Sequence, residues 1–283
     1  IICLNITHKN PVLRKILGDR RFRIALSYAI NREEINELCY LGRAGEPRQV
    51  VPFPESEFFL KELAYAYIRY DPELANTILD GMGLAERDKE GFRLRPDGKR
   101  LALTIEFAGV FGPWADILEL VKQYWEAVGV KTAVKMIDRS LWQTRYAANE
   151  MDVTVWTGTA GMQPFTWPRY YVPTGGQVLW APAYQRWYES GGKRGERPTE
   201  DVLKAIELFE QIKGTADKEK QSRLFKEILK LKAKYLWNIG TLAPAPYIGV
   251  ASNKLRNVPK VAVYSDISRS PGSFFPEQFF FEK

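Results

Sequence analysis

Hydrophobic residues recur along this chain with two different periods. A spacing of three or four residues is typical of helices, and strict alternation is typical of strands. The first pattern predicts helices over residues 20–30, 31–38, 71–81, 113–127, 140–148, 199–213 and 217–237. The second pattern predicts strands at 2–6, 130–137 and 151–156, and a hairpin over 91–107 whose turn is Pro96-Asp97-Gly98.

Polar residues mark where several of these helices begin. Asn31 followed by Glu34 is a capping-box pattern, which predicts the start of the second helix. Asp71 before Pro72 predicts the start of the third, and Gly81 or Gly83 predicts its end.

The order of elements predicts the fold class. A hairpin, a helix, a strand, a helix and a further strand follow one another over 91–156, which predicts an α/β domain with a mixed sheet. In open α/β sheets, ligands bind beyond the carboxyl ends of the strands. The loops FAGVFGP, which contains Phe111, and WTGTAG, which begins at Trp156, leave strands at such ends. We therefore expect a ligand crevice there.

The segment VWTGTAGMQPFTWPRYY, residues 155–171, is rich in aromatic rings and has no acidic residue. Its glycines and prolines disfavour a continuous helix or strand, so the rings are candidates for a binding surface. The candidate ligand-binding residues are Trp156, Thr157, Gly158, Thr159, Gln163, Trp167, Tyr170, Tyr171, Trp180, Tyr146, Phe111 and Arg48.

Each candidate has a structural alternative. The rings of Trp156, Trp167, Tyr170, Tyr171 and Trp180 either face a ligand or pack in the core. Thr157, Thr159 and Gln163 either donate hydrogen bonds to a ligand or stabilise turns. Arg48, in a proline-rich loop, either reaches ligand carboxylate or hydroxyl groups or is solvated. Tyr184, Trp187 and Tyr188 have helical spacing and favour core packing.

Composition narrows the function classes. Hydrophobic residues make up 45% of the 283 residues and charged residues 27%, which is typical of a globular protein. The net charge of +7 raises the question of nucleic acid, but the basic residues alternate with acidic ones along helices. The ring-rich segment and the aromatic residues that follow it up to Tyr188 add only Arg169 and Arg186, so we expect no nucleic-acid partner.

Few residues suit catalysis or metal binding. His8 is the single histidine, which excludes a metal site or triad that needs a second one. Glycoside hydrolysis needs paired carboxylates, but Glu150 and Asp152 precede the loop, which itself has none. Cys3 and Cys39 either pair or remain free thiols. We expect no cofactor and no bound metal.

Four motifs resemble one family. DRRFRIALSYAINREEI, YDPELANTILDGMGL, RLRPDGKRLALTIEF and WEAVGVKTAVKMID occur in the same order in family-5 extracellular solute-binding proteins. The resemblance implies an α/β, type II periplasmic-binding-protein-like C-terminal lobe over residues 8–240. It implies that 1–7 and 241–283 are hinge strands and part of an N-terminal lobe that otherwise lies outside this chain.

The resemblance also implies a function. These proteins capture oligopeptides, nickel complexes or oligosaccharides for ATP-driven importers, so permease subunits are the expected partners and no catalysis is expected. It implies a periplasmic or extracellular, surface-attached location, with any lipid anchor outside this chain. The motifs near the end, LRNVP and PEQFFF, resemble those of long members that are more often associated with sugars or left without an assigned ligand.

The position of Thr159 bears on the class of ligand that we expect. Oligopeptide binders of the family hold the peptide amine with an aspartate where this chain has Thr159, and they have an arginine where it has Val153. Tyr146 matches a position that faces ligand in family members. We therefore expect an oligosaccharide or similar neutral solute, with an oligopeptide as the alternative and a carbohydrate-active hydrolase as the alternative of another class.

Overall fold

A computed structural model describes residues 1–158, 164–165, 167–244, 248–262 and 272–282. Its strands are β1 (Ile2–Leu4), β2 (Ala102–Phe107), β3 (Lys131–Met136), β4 (Val153–Val155), β5 (Leu255–Arg256) and β6 (Phe280–Phe281). Its helices are α1 (Pro11–Gly18), α2 (Arg20–Tyr28), α3 (Arg32–Tyr40), α4 (Lys61–Ala64), α5 (Pro72–Asp80), α6 (Trp114–Ala127), α7 (Arg139–Ala147), α8 (Pro182–Glu189), α9 (Glu200–Lys213) and α10 (Lys218–Tyr235).

The predicted mixed sheet is confirmed, with strand order β1-β4-β2-β3. β2 runs parallel to both β3 and β4, and β1 pairs antiparallel with β4. Ile105 of β2 lies opposite Val153 of β4, so the loops that follow these two strands leave the sheet at the same edge. This register brings the two predicted ligand loops together.

Local signals at helix ends are also confirmed. The side chain of Asn31 accepts a hydrogen bond from the Glu34 amide at 3.2 Å, and that of Asp71 accepts one from the Leu74 amide at 2.9 Å. α3 continues two residues beyond its predicted end and closes at Leu41, whose φ of 54° is left-handed.

The predicted hairpin is only half formed. Its second arm is β2, whereas the first arm contributes only isolated bridges such as Leu94 to Arg100. Arg93 explains the difference: its amide donates to the Gly129 carbonyl at 2.8 Å, while its carbonyl accepts from the Leu101 amide at 2.7 Å. The first arm is therefore shared between β2 and the turn that ends α6.

Two hydrophobic clusters form the core. One packs α2, α5 and α6 against the sheet, and the other packs α9 and α10 against the chain between 170 and 184.

Cys3 is buried and Cys39 half-buried, and both are free thiols. Across the described residues, no helix combines the length and apolar character that a membrane span requires.

The predicted division of the chain cuts through the sheet. Residues 1–7 include β1, which pairs with β4 inside the main sheet. The segment after 240 leaves that sheet, and its β5 and β6 pair only with each other. The hinge role of these segments remains a prediction.

Candidate functional site

A cavity of about 390 Å³ opens at the carboxyl edge of β2 and β4. Its wall is built from the loops after these two strands, the start of α6, the N-terminal residues and two further segments, 48–53 and 240–244. The wall includes five residues predicted from sequence: Arg48, Phe111, Trp156, Thr157 and Gly158.

Aromatic rings converge on one side of this cavity. The Trp156 ring centroid lies 5.9 Å from that of Phe111, at an interplanar angle of 88°, and 5.9 Å from that of Trp114. Phe111 and Trp114 are themselves 5.8 Å apart. Edge-to-face contacts of this kind add to the stabilisation from burial. We call Phe111, Trp114 and Trp156 the aromatic wall.

The Trp156 ring is supported from below by α7. Trp142, fully buried, stacks on it with centroids 5.3 Å apart, and the Trp142 Nε1–H donates to Thr154 Oγ1 of β4 at 2.8 Å. The guanidinium of the exposed Arg139 lies 5.0 Å from the Trp156 centroid. Exposed cation–π contacts contribute only about 0.5–1 kcal/mol, so Arg139 adds little to the position of the ring.

The opposite side of the cavity is held by buried polar groups. The Gln49 side chain accepts from the Gly240 amide at 2.6 Å and donates to the Ala66 carbonyl at 2.8 Å. Gly240 must be glycine, because a Cβ there would lie 2.5 Å from the Arg48 carbonyl oxygen. Arg32 donates to the Gly240 carbonyl at 3.0 Å. Segments 48–50 and 240–241 are thereby locked together.

Arg48 is not a solvated loop residue. The residue as a whole is 7% exposed and lines the cavity. Burial lowers the pKa of its guanidinium below the ordinary value, an effect that Glu46 and Glu55 oppose from a distance. The structure therefore places Arg48 in the cavity wall, and its contact with a ligand remains a prediction.

A second buried basic side chain, that of Lys232, lies behind that wall. Lys232 is 0% exposed and donates to the Val50 carbonyl at 3.0 Å, with its Nζ 4.6 Å from the Tyr171 ring centroid. Burial lowers the pKa of this amine well below its ordinary value. Lys232 therefore supports the segment that carries Arg48.

The remaining predicted residues lie away from the cavity. Tyr170, Tyr171 and Trp180 are at most 4% exposed and pack in the second core cluster. Tyr146 donates to Gln185 Oε1 at 2.7 Å, and Trp167 packs under the Arg169 guanidinium, 4.0 Å from its centroid. These placements match the core-packing alternative for the rings. Thr159 and Gln163 lie outside the described residues.

The nearby carboxylates are engaged by other groups. Asp152 is 2.9 Å from His8 Nε2 and accepts from the Thr104 amide at 2.9 Å. Glu150 lies 3.3 Å from Arg145. Neither acid belongs to the cavity wall as the described residues define it.

Several wall residues had no sequence signal strong enough to single them out. Trp114 follows directly after the FAGVFGP loop, and this position in the sequence is the feature that indicates its proximity to the site. Gln49, Gly240 and Thr241 carry no motif, and only long-range pairing brings them to the site.

The family model for bacterial extracellular solute-binding proteins, family 5 Middle, matches residues 1–180. The chain belongs to this family. Its members bind solutes, work with ABC permeases, and are extracellular or periplasmic. No curated protein matches the chain.

Solved structures agree with this assignment. The chain is similar to an oligopeptide-binding protein OppA, with 37% identity and a TM-score of 0.83, over 100% of this chain and 46% of that one. A mannohexaose-bound periplasmic oligopeptide-binding protein from Thermotoga maritima is 21% identical, with a TM-score of 0.65 over 91% of this chain and 46% of that one. MelB from Agrobacterium fabrum, bound to stachyose, is 16% identical, with a TM-score of 0.69 over 85% and 37%. The last two similarities establish the fold alone, and the chain spans less than half the length of each of the three.

Proposed function

We propose that this chain is the C-terminal lobe of the substrate-binding component of an ABC importer. The lobe captures an oligosaccharide or similar solute, which a second lobe then encloses by closing about a hinge. The observation that carries the proposal is the aromatic wall beside a cavity at the carboxyl edge of the sheet.

The chemistry of the wall favours a ligand with ring faces. Sugar rings present C–H patches that pack against tryptophan and phenylalanine, and Thr157 and Thr241, which line the cavity, would offer hydrogen-bonding groups to sugar hydroxyls. The cavity volume of about 390 Å³ lies within the usual range for small-molecule sites, roughly 300–1,000 Å³, before a second lobe adds its own surface.

An oligopeptide is the alternative ligand. The relative that is 37% identical is named as an oligopeptide-binding protein, which supports this alternative. An extended peptide would also bury apolar side chains against the aromatic wall, and its backbone would pair with polar groups from either lobe.

The role we propose is binding without catalysis. Hydrolysis of a glycosidic bond uses two carboxyl groups on either side of that bond. Asp152 is held by His8 and the Thr104 amide, and Glu150 pairs with Arg145, so neither is placed for this chemistry.

The remaining proposals concern the whole protein. Residues 8–240 would form the ligand-binding lobe, with 1–7 and 241–283 as hinge strands and part of the second lobe. The partners would be ABC permease subunits, and the protein would be periplasmic or extracellular and attached to the cell surface.

Calorimetric titration of the full-length protein with linear oligosaccharides and with tri- to nonapeptides tests the function. We expect saturable one-to-one binding of oligosaccharides with no change in the sugar recovered afterwards. Tight binding of peptides with no response to sugars would overturn the sugar assignment. Release of shorter sugars would overturn the non-catalytic role.

A further inference from the structure

Four arginine side chains are buried in the described part of the chain: Arg23, Arg32, Arg48 and Arg93. Three of them satisfy their guanidinium groups with carbonyl oxygens. Arg23 donates to Leu17, Tyr235 and Leu236 at 2.6–2.8 Å. Arg32 donates to Ser27, Ile68 and Gly240 at 2.8–3.1 Å. Arg93 donates to Leu84 and Val128 and pairs with Asp80 at 2.5–2.7 Å.

Arg48 differs from these three. Among the described residues, its guanidinium has no hydrogen-bond acceptor and no ion-pair partner, although the residue as a whole is only 7% exposed and lines the cavity. A buried charge without a partner is costly, and proteins normally pair or hydrogen-bond such groups. The exception therefore needs an explanation.

The neighbouring acidic residues do not pair with the Arg48 guanidinium. Glu46 and Glu55 act on Arg48 only at Coulombic range, and both are exposed. Glu46 instead accepts from the Tyr65 hydroxyl at 2.8 Å. The Tyr171 hydroxyl, which interacts electrostatically with Arg48, is itself buried and has no hydrogen-bond partner in the described part of the chain.

The backbone around Arg48 is nevertheless fixed. The Arg48 amide donates to the Thr241 carbonyl at 3.2 Å, and the next amide, that of Gln49, donates to the Ala64 carbonyl at 2.8 Å. Lys232 and Gly240 hold the same segment from behind. The guanidinium is thus presented to the cavity by a rigid support, as a preorganised binding group should be.

We propose that Arg48 binds a carboxylate of the ligand, so that the solute is an acidic oligosaccharide whose sugar rings pack on the aromatic wall. A carboxylate offers two oxygens in the geometry of the guanidinium fork and neutralises the buried charge, which a hydroxyl group does not. The proposal rests on the proposed function and replaces the neutral ligand expected from sequence with an anionic one. A peptide C-terminus has the same chemistry, and the experiment separates the two sources.

Melting of the ligand-free full-length protein is the first test. Arg48→Met removes a charge that has no partner in the ligand-free protein according to the proposal. We therefore expect the melting temperature to rise by about 2–4 °C. Arg32→Met is the matched control, since it removes satisfied hydrogen bonds and should lower the melting temperature. A fall for Arg48→Met as large as that for Arg32→Met would mean that Arg48 already has a partner in the protein, and the proposal would be overturned.

Titration with matched probes is the second test. The probes are trigalacturonate and its methyl ester, and a tripeptide with a free or an amidated C-terminus. We expect trigalacturonate to bind at least about tenfold more tightly than its ester, and Arg48→Gln to abolish that preference. Arg48→Lys, which keeps the charge without the fork, should retain part of it, and Arg139→Gln, at the exposed arginine beside Trp156, should leave it intact.

The outcomes distinguish failure of the carboxylate site at Arg48 from failure of the proposed function on which it rests. If the peptide acid shows the preference and sugars do not bind, the carboxylate site stands and the oligosaccharide assignment fails. If sugars bind but acid and ester bind equally in the native protein and in Arg48→Gln, the function stands and the carboxylate site fails. If none of the probes binds, the melting comparison decides on Arg48 alone.

Discussion

Trp142 and Trp156 stack with their ring centroids 5.3 Å apart and their planes 28° from parallel. The stack joins α7 to the cavity, because Trp142 donates to Thr154 Oγ1 at 2.8 Å and Thr154 donates in turn to the Glu106 carbonyl at 2.7 Å. Trp156 therefore packs on a ring that is anchored to β4 and, through Thr154, to β2. A ring fixed in this way loses little conformational entropy when a ligand packs on it.

Replacing Trp156 tests the aromatic wall. In the full-length protein, Trp156→Ala should weaken ligand binding by about 1–3 kcal/mol, the cost of losing a large apolar contact. Titration calorimetry measures the change. Trp167→Ala is the matched control, because Trp167 lies outside the cavity and should leave affinity unchanged. Equal losses in both variants would contradict the position we assign to the site.

Replacing Gly240 tests the junction beneath Arg48. The added Cβ of Gly240→Ala would lie 2.5 Å from the Arg48 carbonyl oxygen and 2.6 Å from the Gln49 Cα, so the backbone must shift. We expect a loss of about 1–3 kcal/mol in the free energy of unfolding, as for other overpacked sites, together with weaker ligand binding. Urea denaturation measures the first effect.

Gly249→Ala is the control for this experiment, because a Cβ at Gly249 would meet none of the described residues within 4 Å. Its free energy of unfolding should stay within about 0.5 kcal/mol of the native value. A Gly240→Ala protein as stable as this control would show that segments 48–50 and 240–241 are not tightly apposed.

Lys232 should impose a pH dependence on stability. Burial lowers its pKa in the folded protein well below the ordinary value of 10.5. Between the folded pKa and 10.5, the unfolded chain therefore binds a proton that the folded protein does not, and stability rises with pH in that window. The gain is at most about 1.4 kcal/mol per pH unit.

Lys232→Met removes this titration while preserving the length of the side chain. We expect the free energy of unfolding of the native protein to rise relative to that of the variant as the pH is raised from neutral toward 10. Denaturant unfolding across this range provides the measurement. Parallel profiles would show that the amine has the same pKa in both states.

The two cysteines should differ in reactivity. Burial raises the pKa of the Cys3 thiol to about 12, and its side chain is 1% exposed, whereas Cys39 is only half-buried. The thiolate is the reactive species, so iodoacetamide at about pH 8 should modify Cys39 first and Cys3 only after unfolding. Mass spectrometry of the Cys39→Ser variant isolates Cys3, and rapid native labelling there would contradict its burial.

Local features of this protein were determined by the sequence itself. The caps at Asn31 and Asp71 involve groups three residues apart, so a short pattern is sufficient to specify them. The order of helices and strands predicted the mixed sheet, and the rule for strand ends placed Phe111 and Trp156 at a common edge, where their rings lie 5.9 Å apart.

Only the tertiary structure decided which aromatic rings face the cavity. Trp156 and Tyr171 share one ring-rich segment whose irregular backbone has no period, so sequence spacing does not indicate which side is buried. Contacts with α10 bury Tyr171 in the core: its ring centroid lies 5.2 Å from that of Phe225, and the Lys232 amine lies over the ring.

The burial of Arg48 likewise depends on distant parts of the chain. The segment that buries it is joined to Gly240 through a hydrogen bond between residues 191 positions apart, and to Lys232 through one that spans 182. No local pattern records such pairings, because burial depends on which surfaces meet when the whole chain folds. A short sequence window specifies backbone conformation, whereas the solvation of a charge, and with it the chemistry of the site, depends on long-range packing.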